Sequence, residues 1–474
     1  MKVYNTLSRK VEKFKPIKEN VVKLYTCGPT VYDYAQLGNL RSFVFEDSLR
    51  RALEGAGYKV QHVMNITDVG HLVSDEDEGE DKLVMGAKRE GKSVWDVAKY
   101  YTDAFKRDAA KLNILPPNGY SGKQDAYARA TDFIDEQIEI VKILLSKDFA
   151  YQTGQAIYFD VSKLRSYGEL TGQKLSDKEI AARAEVVSDK SKRNPQDFAL
   201  WFFAVGRFAD HDMRWASPWG EGFPGWHLEC SAIIHATLGD PIDVHTGGVD
   251  HIGTHHTNEM AQTEAAFGNK LANYWIHNEF LLVENQRMGK SQGNFYTLAD
   301  VEKKSYEPLA LRLLFLQAHY RSQMNFTWEA LDGAQVFLKR LQAWADLKFQ
   351  KNLGHKKDAG ANYEGVLASI KHALEDDLNS AQALAMVSQL TSQAEHEGID
   401  STKQESMLKA LDDLFGLSLS KRTDITTEQK MLISDRESAR KKSDFNEADE
   451  LRLKLSAQGF LIEDTPHGPV WSRI

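Results

Sequence analysis

The sequence predicts an α/β protein that opens with a βαβ unit, is interrupted by an insertion, and continues into helical regions and a small helix-and-strand C-terminal unit. Three observations carry that expectation. Residues 21–27 (VVKLYTC) form a largely apolar run of strand length, closed by the turn Gly28-Pro29-Thr30. Such a run suits a strand buried on both faces of a parallel sheet. Over residues 40–57, Leu40, Phe43, Val44, Leu49 and Leu53 recur at helical spacing, which gathers them on one helix face. A second strand follows in VQHVMNIT. Open parallel sheets bind ligands beyond the carboxyl ends of their strands, and Cys27 stands at such an end.

Residues 1–120 therefore read as the first half of the α/β unit. Within it the acidic stretch Ser74 to Asp81 (SDEDEGED) reads as a solvated loop or helix start without chemistry, because clustered carboxylates repel and resist burial. Residues 121–200 read as an insertion, with an amphipathic helix near 126–147, a hairpin in FAYQTGQAIYFDVS and a polar region rich in Lys, Asp and Ser. Residues 201–295 resume the first pattern through IDVHTGG, a helix carrying His255 and Glu259, YWIHNEFLLV and the loop ENQRMGKSQGNF. Residues 296–350 and 360–420 read as helical, separated by the linker-like KNLGHKKDAGANYEG. Residues 424–474 begin with a charged helix and end in GFLIEDTPHGPVW, whose turn residues separate two short strands.

Composition narrows the class further. A 474-residue chain that is 42% hydrophobic can bury a large core across several domains. No apolar run approaches the roughly 20 residues of a membrane span, and the first residues (MKVYNTLSRKVEKFKP) are charged. The expectation is a soluble cytoplasmic protein with no membrane partner. Two cysteines in so long a chain agree with a reducing compartment, where paired thiols mark metal or chemistry more often than crosslinks. The net charge of −9 argues against wholesale coating of a polyanion and leaves room for local basic patches.

Two groups of residues carry candidate chemistry. Cys27, Cys230 in GWHLECSAI, and His255 with Glu259 four residues on could supply two thiolates, an imidazole and a carboxylate to a tetrahedral zinc. The plainer alternative makes the cysteines small buried hydrophobes and the His/Glu pair a solvated helix face. In Arg287-Met288-Gly289-Lys290-Ser291, two cations beside Gly289 and Gly293 suit a loop that closes over a triphosphate and neutralises departing pyrophosphate. An exposed basic turn is the alternative there.

Taken together, these segments resemble class I aminoacyl-tRNA synthetases, and specifically the cysteinyl-tRNA synthetase family. YTCGPTVYDYAQLGNLRSF is similar to the stretch holding the family's first signature, ordinarily His-Ile-Gly-His or His-Ile-Gly-Asn, and reads Gln36-Leu37-Gly38-Asn39 here. RMGKS resembles the second signature, Lys-Met-Ser-Lys-Ser, and GWHLECSAI and HTGGVDHIGTHHTNEMAQTEA resemble the family's metal segments. AHYRSQMNFTWEAL resembles its stem-contact helices, and the stretch from Arg436 (RESARKKSDFNEADELRLKLSAQGFLIEDTPHGPVW) its anticodon-binding domain. The resemblance spans nearly the whole chain.

The resemblance implies a class I Rossmann-like nucleotide-binding catalytic domain with an insertion, stem-contact helices over 296–350, a helical tRNA-binding domain over 360–420 and a C-terminal anticodon-binding domain. It implies an enzyme that activates L-cysteine with ATP and Mg²⁺ and transfers it to tRNA(Cys); a monomer is expected, though the sequence itself does not supply the oligomeric state. One Zn²⁺ would sit on Cys27, Cys230, His255 and Glu259, with His256 turned to a different helix face. Gln36, Gly38, Asn39, Arg287 and Lys290 would be catalytic, with Gly28, Gly38, Asn39 and Lys290 on ATP. Thr67 and Trp226 would line the cysteine pocket. Zinc would select the substrate thiolate over a serine hydroxyl, so that no editing domain is expected. For tRNA, Arg321, Arg440, Lys441 and Lys442 are candidate phosphate contacts, and Trp471 and Asp464 candidate base readers.

Three departures qualify the match. Gln36 replaces the leading His and cannot become cationic; Gly289 replaces the first Ser of the second signature; and Gly253-Thr254 precede the His pair where the family has bulkier or Pro-containing sequence. Two competing readings stay open. A cysteine ligase acting on a small amine would not need the segment after residue 424. A non-catalytic tRNA- or zinc-binding relative is favoured by Gln36 and opposed by the intact ligands and Lys290.

Overall fold

The computed structural model of the chain describes residues 1–70, 72, 81–120, 126–172, 191–289, 293–350, 362–397, 401–465 and 468–473. Lys290, most of the acidic stretch, the polar part of the insertion and most of the 351–365 linker lie outside the described residues. The chain divides into two compact units: residues 1–305 with 319–326 and 375–378, and residues 306–318 with 327–374 and 379–474.

The first unit is built on a five-stranded parallel sheet in the order Ala272–Asn278, Ile242–Gly248, Val21–Thr26, Lys59–Ile66, Ala128–Arg129. Valines and leucines on both faces of the central strands explain their near-complete burial. Successive connections from Val21–Thr26 run to opposite sides of it. A switch point therefore opens between that strand and Ile242–Gly248, where Thr26 stands beside Thr246.

The helix Leu37–Gly55 fills the first crossover and buries Leu37, Leu40, Val44, Leu49 and Leu53. It also buries Arg41, whose guanidinium donates to the carbonyls of Glu279 and Phe280 at 2.7 Å each and of Ser322 at 2.6 Å. Burial lowers its pKa to about 10. Arg41→Met leaves these carbonyls without a donor. It is expected to lower stability by roughly 2–4 kcal/mol, read as an earlier urea unfolding midpoint; an unchanged midpoint would contradict this role.

The expected hairpin near residue 150 begins a larger antiparallel sheet, ordered Ala150–Gln152, Ala156–Phe159, Phe198–Phe203, Gly220–Pro224, Trp215–Ser217. Its Ile157, Phe159, Phe198 and Trp201 pack with Ile138 and Val141 of the helix Ile134–Ser146. That helix is shorter than the expected 126–147, because Ala128 and Arg129 pair with Asn65 and Ile66 and extend the parallel sheet instead. A second difference is the strand Met324–Phe326, which pairs with Leu281–Val283 inside a stretch expected to be helical. Three residues are too few to show a periodicity of their own.

The second unit is mainly helical, with Pro308–Leu316, Trp328–Asp346, Ser380–Glu397 and Ser401–Phe415 among its helices. Its C-terminal part comprises Thr427–Lys441, Phe445–Ala457 and the hairpin Phe460–Thr465/Gly468–Arg473. There Trp471 is only 6% exposed, edge-on to Phe460, with its backbone bonded on both sides to Gln350. Trp471 is thus a core residue rather than a reader of unpaired bases. Asp464 is held by Arg436 at 2.8 and 2.9 Å and by Arg440 at 2.8 Å, so its carboxylate is committed to two guanidiniums. Lys441 and Lys442 are exposed.

Candidate active site

A cavity of about 410 Å³ opens at the switch point. Its walls are the turn after Val21–Thr26, the first turns of Leu37–Gly55, Asn65 and Thr67 at the end of the neighbouring strand, and Gly247 and Gly248 across the sheet. Gln36, Gly38, Asn39, Trp226, His255, Arg287 and Met288 complete the lining. Gln36 is the N-cap of the 37–55 helix, and its backbone N–H donates to Asn39 Oδ1 at 3.2 Å. A helix N-terminus opening into a cavity offers unpaired N–H groups to phosphate. A Cβ on Gly38 would meet only Met288 Cε, at 3.9 Å, so this residue leaves backbone open to the cavity.

Gly28 has a tighter reason to be glycine. An added Cβ would lie 1.8 Å from the Asn65 carbonyl oxygen, and the Gly28 N–H donates to Asn65 Oδ1 at 2.7 Å. Asn65 in turn donates to Thr67 and Glu229, each at 3.1 Å, and the Thr67 hydroxyl donates to Glu229. Burial pushes the Glu229 carboxyl up to about 8.

Cys27 and His255 line the cavity, and behind them the ligand atoms of Cys27, Cys230, His255 and Glu259 all lie within 4.8 Å of one another, with all four residues buried. Cys27 immediately follows the strand Val21–Thr26, Cys230 lies on Trp226–Thr237, and His255 and Glu259 occupy the start of His255–Phe267. Glu259 Oε2 is 2.7 Å from His245 Nε2, whereas Oε1 has no hydrogen-bond partner although it lies 2.9 Å from His255 Nε2. Two donor atoms crowded together without bonding each other fit residues arranged around a cation, and two sulfurs, a nitrogen and an oxygen are a zinc donor set.

The electrostatics agree with that fit. Burial raises the Cys27 thiol, yet the hydrogen bond from Cys230 and the imidazoles of His256, His251 and His255 hold it well below the usual value. Burial and then the Cys27 sulfur push Cys230 well above it. Against burial, His245 and His255 hold the Glu259 carboxyl at about 2, and Glu259 raises His255. Trp226 stacks on His255 with ring centroids 4.2 Å apart, placing the indole on the cavity wall rather than in the core.

A family model described as the tRNA synthetases class I (C) catalytic domain matches residues 13–336. The chain is 41% identical to a cysteine–tRNA ligase of Treponema denticola, with all of both chains covered. The chain belongs to the cysteine–tRNA ligase family. It is also 42% identical to cysteine–tRNA ligase 1 of Burkholderia lata, covering 98% of this chain and 95% of the relative. Among solved structures, Mycobacterium tuberculosis methionyl-tRNA synthetase in complex with methionyl-adenylate superposes with a TM-score of 0.59 at 13% identity, covering 85% of this chain and 92% of that one. A LeuRS-tRNA-LeuAMS ternary complex from Agrobacterium radiobacter K84 superposes with the same score at 11% identity, covering 87% and 86%. Both show the class I fold. The ligase thus uses an amino acid, ATP and tRNA as substrates, and the readings as an amine ligase or a non-catalytic relative are not favoured.

The expected site residues of this ligase separate into groups. The four expected metal ligands converge, and Gly28, Gln36, Gly38, Asn39, Thr67, Trp226 and Arg287 all line the cavity. His256, expected on a different helix face from His255, packs in the interior there. The helix His255–Phe267 is buried on most of its circumference, so adjacent residues both meet buried groups. His256 Nε2 lies 3.3 Å from Cys27 Sγ, and its Nδ1 2.8 Å from His277 Nε2. With Cys27, His245 and Glu259 it makes a second tetrad within the same 4.8 Å limit. Arg321 is also corrected: its Nε donates to Asp377 at 2.9 Å, and its guanidinium lies 4.7 Å over the Tyr4 ring, so its charge is committed within the fold.

Sequence reasoning missed His245, Glu229 and Asn294. The Asn294 side chain accepts from Gly289 N at 2.9 Å and donates to Arg287 O at 3.1 Å, holding the first residues of the signature loop. An asparagine beside glycine is the signal that could have marked it.

Proposed function

We propose that this ligase selects cysteine at a zinc ion held by Cys27, Cys230, His255 and Glu259, and forms cysteinyl-adenylate in the adjoining cavity before charging tRNA(Cys). The convergence of the four ligand atoms within 4.8 Å beside the cavity carries this reading. Bound there, zinc supplies a soft Lewis-acid position that takes a substrate thiolate in preference to a hydroxyl.

The surrounding residues account for the rest. Trp226, stacked on His255, walls the amino-acid side and excludes water. The Thr67 hydroxyl is fixed by Glu229 and presents a stationary polar edge. The helix N-terminus at Gln36, Gly38 and Asn39 receives phosphate oxygens, while Gly28 keeps the turn tight against Asn65. Arg287, beside Phe280 at the rim, and Lys290 neutralise charge as pyrophosphate leaves, with Mg²⁺ accompanying ATP. A monomer is part of the proposal, and no helix of the described residues is long and apolar enough to cross a membrane. A cytoplasmic setting is part of the proposal.

Cysteine-dependent ATP–pyrophosphate exchange, with zinc measured on the same sample, tests it. Exchange favouring cysteine over serine with about one zinc per chain supports it; exchange without bound metal overturns the selection mechanism. In the same assay Gln36→His is expected to speed exchange about 5- to 30-fold, because a charge-assisted hydrogen bond replaces a neutral one at roughly 1–2 kcal/mol. An unchanged or slower rate would show that neutral Gln36 is not limiting.

A further inference from the structure

The helices Lys82–Glu90 and Val94–Lys111 stand beside the cavity mouth, and their chemistry sets them apart. Residues 82–111 hold eight lysines and arginines against four carboxylates, in a chain of net charge −9. Aromatic rings lead outward from the cavity along them. Tyr34 and Tyr101 line it; Tyr34 shares a 2.6 Å hydroxyl contact with Tyr100, and both Tyr34 and Tyr100 lie edge-on to Tyr101 with centroids 5.1 Å apart. Tyr34 and Tyr100 are each 40% exposed, and Trp95, five residues before Tyr100 in the same helix, is 49% exposed. Lys92 Nζ sits 4.5 Å over the Tyr100 ring. Trp95 is held edge-on by Trp215, with centroids 6.1 Å apart.

We propose that this face is a stacking platform for the unpaired 3′ end of the tRNA on its way into the cavity. The inference rests on the reading that the adenylate forms there. The terminal ribose must then reach the cavity, so the strand carrying it crosses the rim. Unpaired bases stack on aromatic rings whatever their identity, and the phosphates between them meet a local surplus of cations. The platform offers both, and its innermost rings are continuous with the cavity lining. Arg89 and Lys92 share Glu90, Arg89 also meets Asp33, Lys99 meets Asp103 and Lys111 meets Glu302, so the remaining surplus belongs to the helix pair as a whole rather than to one lysine.

The test compares binding of two RNA hairpins, with and without an unpaired 3′ extension, to the full-length wild-type ligase and to Tyr100→Ala, Trp95→Ala and Tyr100→Phe. The extension is expected to tighten wild-type binding about tenfold, as stacking of one base does. Tyr100→Ala and Trp95→Ala are expected to lose most of that gain, and Tyr100→Phe to keep it, with ATP–pyrophosphate exchange within about twofold of wild type throughout. Full retention of the gain in both alanine variants overturns the proposal. So does equal loss in Tyr100→Phe, which would assign the effect to the hydroxyl contact with Tyr34. A change in self-association instead of RNA binding would mean that a second copy covers the face, and also overturns it. Failure of wild-type cysteine-dependent exchange would count against the reading of the cavity, while the hairpin comparison would still decide the platform.

Discussion

Cys27→Ser is expected to strip the metal from this ligase and abolish cysteine-dependent activation. The residue belongs to both tetrads beside the cavity, as does Glu259, so its loss leaves neither complete. Removing a mere hydrogen-bond partner of a ligand lowers metal affinity roughly 10–100-fold, and removing the ligand itself should exceed that. Cys230→Ser is the informative contrast, because Cys27, His245, His256 and Glu259 remain together in it. Metal content after gel filtration separates the two variants without relying on activity. Added zinc at a hundredfold excess over its Kd should stabilise the metal-free wild type by about 2.7 kcal/mol and leave Cys27→Ser unmoved. A Cys27→Ser protein that keeps one zinc per chain and the same stabilisation would show that the metal rests elsewhere.

Gly28→Ala is expected to cut exchange activity about a hundredfold, the scale on which a shift near 1 Å in catalytic geometry acts. The new methyl group would overlap the Asn65 carbonyl oxygen, 1.8 Å away, and backbone cannot rotate aside as a side chain can. Asn65 has to move, and it carries with it the contacts to Thr67 and Glu229 that shape the amino-acid side of the cavity. A stability loss of roughly 1–3 kcal/mol should accompany this, as in other overpacked sites. Gly154→Ala is the control: nothing lies within 4 Å of its added Cβ, and its unfolding midpoint and exchange rate should both stay at wild type. Exchange within twofold of wild type in Gly28→Ala would refute the packing argument.

Much of this site was legible in the chain because its parts are short and local. The apolar run before Cys27, the helix beginning near Gly38 and the four-residue spacing of His255 and Glu259 each act within one element, so residue pattern sufficed. What escaped depends on pairing between distant segments. His245 meets Glu259 because the strand Ile242–Gly248 ends under the helix that follows, and Glu229 meets Asn65 and Thr67 across 164 and 162 positions. His245 and Glu259 are only 14 residues apart, but the strand-to-helix turn that brings them together has no residue pattern of its own, and no short segment holds Glu229 together with Asn65 or Thr67. Trp471 was misread for a related reason: it stands opposite Ile462 in the terminal hairpin, and that register turns its ring inward. Arg321 looked available until Asp377, 56 residues away, proved to be its counter-ion.

The discontinuity of the first unit bears on how the ligase is made. Its strand Leu281–Val283 is flanked on one side by Met324–Phe326, and Asp377 accepts hydrogen bonds from the Tyr4 backbone at 2.8 Å and the Tyr320 hydroxyl at 2.7 Å. A nascent chain on the ribosome therefore cannot finish its catalytic half when residue 305 emerges. The edge of Leu281–Val283 stays open until another score of residues has followed, and the N-terminal strand waits for a partner synthesised more than 370 positions later. Open strand edges are templates for wrong pairing, so the order of synthesis exposes this enzyme during the interval in which the second unit's first helices are already out.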